Sequence, residues 1–318
     1  MKAQPLFILL FLLFGCLNPQ LQRYSESKSL MDTTVTITVY HQNPEVAKQL
    51  VEDTFTEIQS LEKVFSIYDN QSQAYLLNRQ GYLENPDRRL VYILEQSSHY
   101  SQVSGGAFDI TVQPILDLYS HTFGELGRPP TSEEVNETLR LLGYEKIMLN
   151  DSGIYLAPGM KLTFGAIAKG YIIDRAIAEL WENGVEHALV DAGGDMRAIG
   201  ARPDGPWGIA LQNPRNQTEY LAVIHLEDKA VATSGDYERY YVDKSAHHIV
   251  NPKTGYSSRG VMSATVVAAT ATQADALSTT VMVLGVEDGM KLIESLDGVE
   301  ALIIDEEKQI HASSGWTY

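Results

Sequence analysis

The sequence predicts an α+β fold: a helix-rich first half and a strand-rich second half, packed as one two-lobed domain with a ligand cleft between the lobes. Three observations predict it. Apolar residues recur at helical spacing between residues 44 and 142. From about residue 145 the pattern changes to short alternating strands, broken by helices at 166–182 and 271–284. No polar linker separates the halves, so each must bury its apolar face against the other.

The elements follow in chain order. Thr33–Tyr40 alternates Val35, Ile37 and Val39 with threonines and reads as a strand. Residues 44–65 repeat Val46, Leu50, Phe55, Ile58, Leu61 and Val64 at amphipathic helical spacing. Helical patterns recur at 86–103, 108–119 and 132–142, the last opening on Thr131-Ser132-Glu133-Glu134 behind two prolines. Residues 160–164 read as a strand that runs through Gly165 into a helix. Its face carries Ile167, Tyr171, Ile173, Ile177 and Trp181, and Gly184 is its stop. Val261–Ala268 is a strand, Thr270-Ala271-Thr272-Gln273 fits a capping box, and the following helix stops before Gly285.

The chain begins with a segment outside this fold. Lys2 precedes the apolar run Leu6–Leu13, too short to span a bilayer as a mature helix. It ends in Leu13-Phe14-Gly15-Cys16, which resembles a bacterial lipoprotein signal with Cys16 as the lipidated residue. Residues 1–15 are therefore expected to be removed and the polar residues 16–29 to form a tether, leaving a domain over 30–318. This places the protein in the bacterial cell envelope, lipid-anchored and facing the periplasm or the exterior. Cys16 is the single cysteine, so no intramolecular disulfide forms. The net charge of −17 becomes −18 when Lys2 is lost with the leader. Such a balance argues against nucleic acid as a partner, and a phosphate-rich ligand then needs local help from a metal or from backbone dipoles.

Several segments can carry chemistry. Gly165–Gly170 places unpaired N–H groups and Lys169 at a helix start, where an anion is favoured, although an ordinary tight turn with a solvated lysine has the same pattern. Asp275 and Thr279 are four apart, on a helix face distinct from the apolar stripe. A carboxylate and a hydroxyl so stacked suit Mg²⁺; the alternative is an acid serving only its own helix dipole. His247 and His248 point to opposite faces of a short strand before the Asn251-Pro252 turn. One of them is a candidate base or a hydrogen-bonded structural histidine, and their spacing is poor for zinc. Small-residue turns at Gly105-Gly106, Gly193-Gly194 and Ser234-Gly235 permit close backbone approach to a ligand. There is no Gly-x-Ser-x-Gly and no His-Glu-x-x-His.

Eight segments taken in order resemble the FAD:protein FMN transferases, the ApbE-like flavin transferases. They are Met31-Asp32-Thr33-Thr34, Phe65-Ser66-Ile67-Tyr68, Gly105-Gly106-Ala107-Phe108-Asp109, Gly165–Gly170, Gly193-Gly194-Asp195, Ala232–Tyr237, His248–Gly255 and Ala274-Asp275-Ala276. The resemblance implies an ApbE-like, T-fold-related architecture and a lipid-anchored enzyme. It implies that FAD is split at its pyrophosphate with Mg²⁺, and that FMN is joined through a phosphoester to a Thr or Ser of a target flavoprotein with release of AMP. The metal shell it implies is the Ala166 carbonyl with Asp275 and Thr279. Met31, Tyr68, Ala107, Phe108, Asp109, Thr163, Lys169 and Ile249 stand at positions that resemble FAD-contacting ones, with Tyr68 or Phe108 able to stack on a ring of FAD. His248 stands at the position of the base.

The chain departs from the family pattern in three places. Thr163 stands where many relatives carry Asp, Asp32 where Gly is usual, and Asn251 where Asp is common. Two other functions use the same residues: a metal-dependent FAD pyrophosphatase giving FMN and AMP, and a non-catalytic flavin-binding lipoprotein.

Overall fold

The computed structural model describes residues 20–317. The expected leader and Cys16 lie outside the described residues. In chain order the elements are β1 (Gln22–Leu30), β2 (Thr33–His41), α1 (Pro44–Phe65), α2 (Gln73–Gln80), β3 (Tyr82–Glu84), α3 (Arg88–Val103), α4 (Gln113–Tyr119), α5 (Ser132–Leu139), β4 (Met148–Asn150) and β5 (Gly153–Tyr155). They continue with α6 (Ala168–Glu182), β6 (Ala188–Ala192), β7 (Asp195–Ile199), β8 (Trp207–Asn213), β9 (Asn216–Leu226), β10 (Ala230–Gly235), β11 (Val261–Ala268), α7 (Ala271–Glu294), β12 (Glu300–Asp305) and β13 (Ile310–Ala312).

An open antiparallel sheet in the order β1-β2-β6-β7-β10-β11-β12-β13 forms the frame. Helices α1, α6 and α7 pack on one face, and the β8–β9 hairpin covers part of the other. This double cover explains β11, whose eight residues are all buried. Ala264, Val266 and Ala268 face the helices, while Val267 meets Trp207, Ile209 and Ile224 of the hairpin. The main core runs from Val35 to Ile303, so both halves share it. Among the described residues no helix is long and apolar enough to cross a membrane.

The stretch expected as a tether is strand β1 from Gln22 onward, paired with β2 along its length. Its polarity belongs to an edge strand, where hydroxyls pair across strands and charge discourages further pairing. Ser25 and Ser27 hydrogen-bond Thr38 and Thr36, each at 2.8 Å, and the Lys28 ammonium lies 4.4 Å from the centre of the Phe55 ring. Met31 and Asp32 form the two-residue hairpin turn with φ of 54° and 57°. Both central residues are left-handed, as in a type I′ turn, which is the physical reason a glycine is usual at position 32.

α1 matches expectation. The Asn43 side chain accepts from Glu45 and Val46 N–H at its start, and Val51, Phe55, Ile58 and Leu61 are buried. The expected strand at 160–164 is not one. It is extended chain held by single contacts: Asn78 accepts from Leu162 N–H at 2.7 Å and donates to the Leu162 carbonyl at 2.8 Å, and Thr163 N–H donates to Ile110. A side-chain amide thus replaces a neighbouring strand, a substitution that alternation cannot reveal. Trp181, expected on the buried face of α6, is 60% exposed at its last turn. Gly285 ends the regular part of α7 as expected (φ 81°), and a further helical stretch follows to Glu294.

Candidate active site

The first turns of α6 and α7 cross at very close range. A Cβ on Gly170 would stand 2.2 Å from the Ala271 carbonyl oxygen, so only glycine allows the approach. Each helix then caps the other. Asp174 of α6 accepts from Ala271 N–H at 2.8 Å and Thr272 N–H at 2.9 Å, and is held in turn by Arg197 at 2.7 Å. Asp275 of α7 accepts from Gly170 N–H at 3.0 Å. The hydrogen-bond partner of Asp275 is thus the N-terminus of α6, not that of its own helix. Ile167 offers α6 no side-chain cap, which leaves that role to Asp275.

Asp275 is buried and accepts this one hydrogen bond. Burial, with Asp195 nearby, pushes its carboxyl up to about 7. Asp195 is also buried; it holds the Lys169 ammonium at 2.7 Å and accepts Thr233 N–H at 3.1 Å. Burial works against the Lys169 charge, but Asp195 and Asp275 outweigh it and hold that ammonium above its ordinary value. One face of α7 below Asp275 is lined with hydroxyls: Ser234 of β10 meets Ser278 at 2.8 Å and Thr279 at 3.1 Å. Ala166 lies in the turn that enters α6, four residues before the Gly170 bonded to Asp275.

These donors fit a hard cation. The buried Asp275 carboxylate, the Thr279 hydroxyl one turn away and the backbone carbonyl of Ala166 in the turn entering α6 are all of the oxygen type that such a cation prefers. Among the described residues no group of three or more His, Cys, Asp or Glu is placed to bind a metal. A cation held here would therefore take much of its shell from waters and substrate phosphates, as Mg²⁺ does.

The two histidines divide their roles. His247 is buried, donates Nε2–H to the Ser258 carbonyl at 2.9 Å and accepts Ile249 N–H at Nδ1, so both its nitrogens are used. His248 is half-buried. Its Nδ1 faces the Arg239 carbonyl at 3.0 Å, which can only accept, so Nδ1 carries the proton and Nε2 keeps a free lone pair. Burial, with the Arg239 and Lys169 charges in the same sense, pushes the ring down to about 4. It is therefore neutral near pH 7, as a base must be before it takes a proton.

The remaining expected contacts are unequal. Tyr68 is 77% exposed, and its ring is free to stack on a ligand. Phe65, three residues earlier at the end of α1, packs on Phe164 and Tyr171. Phe108 is instead a core residue, 2% exposed and edge-on to Tyr100, so stacking of its ring on FAD is corrected to a structural role. Ala107 and Ile249 are buried and offer a ligand at most backbone. Asp109 caps a short turn through Thr111 and accepts Tyr144 N–H, and burial raises its pKa. Thr163 spends its N–H on Ile110, while its hydroxyl lies 3.4 Å from Gly165 N–H. Met31 N–H donates to Glu62 at 2.9 Å. Asp174, Asn78, Ser278 and the pairing of Asp195 with Lys169 are not evident from the sequence pattern. Asp195 and Ser234 lie in small-residue turns, which is a partial signal, whereas Asp174 has no local one.

Three comparisons bear on this geometry. Residues 31–303 match the model of the ApbE family. The chain is 30% identical to a Treponema pallidum protein named FAD:protein FMN transferase, over 93% of this chain and 88% of the relative. It is 31% identical to a protein of the same name from Vibrio cholerae, over 90% and 88%. The crystal structure of the ApbE protein from Thermotoga maritima superposes with a TM-score of 0.84 at 34% identity, covering 92% of this chain and 97% of that one. The chain belongs to the ApbE family.

Proposed function

We propose that this ApbE-family chain transfers FMN from FAD to a Thr or Ser hydroxyl of a target flavoprotein through a phosphoester bond, releasing AMP. The observation that carries the reading is the crossed pair of helix starts. It brings together Lys169, the buried Asp275 and the Thr279 hydroxyl one helical turn from it, with His248 close enough for the Lys169 charge to oppose its protonation. The names of the similar proteins support the same activity.

Ala166 O, Asp275 and Thr279 would hold Mg²⁺, which supplies charge neutralisation of the pyrophosphate. Lys169, oriented by Asp195, binds a phosphate oxygen and stabilises the charge that develops there. The acceptor hydroxyl gives its proton to Nε2 of His248 and forms the new O–P bond to the FMN phosphorus. The bond to the bridging oxygen breaks, and AMP leaves on an already ionised phosphate with no acid required. Tyr68 stacks on a ring of FAD, while Met31, Asp109, Thr163 and Ile249 line its path. Lipidation of Cys16 would keep the domain at the membrane of the cell envelope, on the periplasmic or outer side, tethered by residues 16–21 ahead of β1.

The test is incubation of the chain with FAD, Mg²⁺ and a candidate acceptor, read by mass spectrometry. Covalent FMN on a Thr or Ser is expected. AMP with only free FMN would make the protein a pyrophosphatase, and intact FAD would make it a flavin carrier.

A further inference from the structure

We propose that the exposed face built by residues 239–259 docks an acidic segment of the acceptor protein beside the acceptor hydroxyl; the inference rests on the transferase reading. In a chain of net charge −17, residues 239–259 carry Arg239, Lys244, Lys253 and Arg259 against Asp243, a net charge of +3 within the stretch, with exposed Glu238 just before it and Glu306 bonded to Gly260 just after. All four cations are exposed, and none forms an ion pair among the described residues.

Arg239 contacts His248 directly, and the other three lie on or beside the two short excursions of the segment that flank it. Residues 239–248 fold back through the Tyr240–His247 bridge and the Tyr241 N–H to Ala246 bond at 2.8 Å, with Lys244 at the tip. Residues 250–257 fold back through the Val250–Ser257 bridge and the Asn251 N–H to Tyr256 bond at 2.8 Å, with Lys253 at the tip. Ser258 joins the two, donating its N–H to Ile249 and accepting from His247. Arg239 sits at the base of the first excursion, where its carbonyl accepts from both the N–H and the ring of His248. Arg259 follows the second and is close enough to oppose protonation of His247.

Apolar surface lies between the cations. Tyr240 is 52%, Val242 63% and Tyr256 45% exposed, although neighbouring Tyr119, Val250 and Ile115 are buried in a small core that anchors both excursions. Exposed tyrosines with unpaired cations are the makings of a protein interface, and a cationic rim on an acidic enzyme selects partners of opposite charge. The acceptor hydroxyl must reach His248, so this rim is the surface that its flanking residues meet.

The test uses the full chain with FAD and Mg²⁺, and two fluorescent peptides that each carry one Thr, flanked by Asp in one and by Lys in the other. Anisotropy should show the acidic peptide binding ~10-fold or more tightly, with the preference fading between about 0.05 and 0.5 M salt. Lys244→Glu with Lys253→Glu should abolish the preference, and the milder Lys244→Gln with Lys253→Gln should reduce it by an intermediate factor. Equal binding of both peptides, displacement of the acidic peptide by saturating FAD, or preferential capture of the rim by phosphatidylglycerol vesicles would overturn the proposal. Mass spectrometry of the same mixtures separates the two readings. Charge-selective binding without covalent FMN upholds the docking face and sinks the transferase, whereas flavinylation of both peptides alike does the reverse.

Discussion

The two ends of the site are built in opposite ways. At the proposed phosphate end, α6 and α7 cross through Gly170 and Ala271, and a carboxylate from each helix, buried Asp275 and half-buried Asp174, accepts from the N-terminus of the other. At the proposed acceptor end, His248 lies between two short excursions that are anchored beneath by Ile115, Tyr119 and Val250 and carry exposed tips at Lys244 and Lys253. The contrast teaches where rigidity is needed. Pyrophosphate charge must be met by groups already in place, because reorganising them during reaction would forfeit the gain. A protein acceptor brings its own folded surface, so that side of the site need only present a base and a rim.

The comparison breaks most sharply at Asp275. Asp275→Ala should lower turnover by ~10³-fold or more, the scale expected when a metal or oxyanion support is lost. Thermal unfolding should show little penalty for Asp275→Asn at pH 8, because the wild-type carboxylate is costly to ionise where it stands. Retention of most activity by Asp275→Ala would mean that the crossed helices are only structural.

His248 is the corresponding position on the exposed side. His248→Ala should reduce transfer by ~10²–10⁴-fold, the usual contribution of a general base, without lowering the melting temperature by more than a few degrees. NMR titration of the ring should give a midpoint near 4, well below the ordinary 6.5. The sign follows: the folded ring binds its proton less well than the unfolded one. This group therefore withdraws stability as pH falls from 6.5 towards 4, and adds nothing to the pH dependence above 6.5. A midpoint between 6 and 7 would place the ring in open solvent and weaken its assignment as the base.

Gly170→Ala tests the crossing itself. A methyl aimed at the Ala271 carbonyl must push the helices apart, which should cost about 1–3 kcal/mol by chemical denaturation and loosen the Asp275 contact. A neutral result would show that the approach is not tight. The smallest effect is expected far from either end, in the β1–β2 turn. Asp32→Gly should stabilise by about 0.5–1 kcal/mol, since glycine adopts a φ of 57° without the penalty that Asp bears.

Much of this was legible in the sequence, for identifiable reasons. α1 declares itself through Asn43, Pro44 and its apolar stripe. β11 does so through an unbroken apolar run, because both of its faces are covered. Residues 22–30 were not legible: an edge strand with hydroxyl ladders has the composition of a linker. Residues 160–164 have the alternation of a strand without being one, because alternation reports burial on one side, not the identity of the partner, and here that partner is the Asn78 amide. Nothing local distinguishes a ring free to stack from a core ring such as that of Phe108.

Sequence alone carried most helix and strand types, with residues 22–30 and 160–164 the exceptions, and the residue chemistry of Asp275, Thr279, Lys169 and His248. Those are chemical properties and short-range periodicities, which neighbours in the chain carry. Only the tertiary structure decided that Asp275 answers the dipole of α6 rather than its own, that Asp174 returns the favour, and that Asp195 takes the Lys169 charge. It also decided which histidine has a free nitrogen. Each of these depends on a contact between residues far apart in the chain, and on burial deep enough to change what a charge costs.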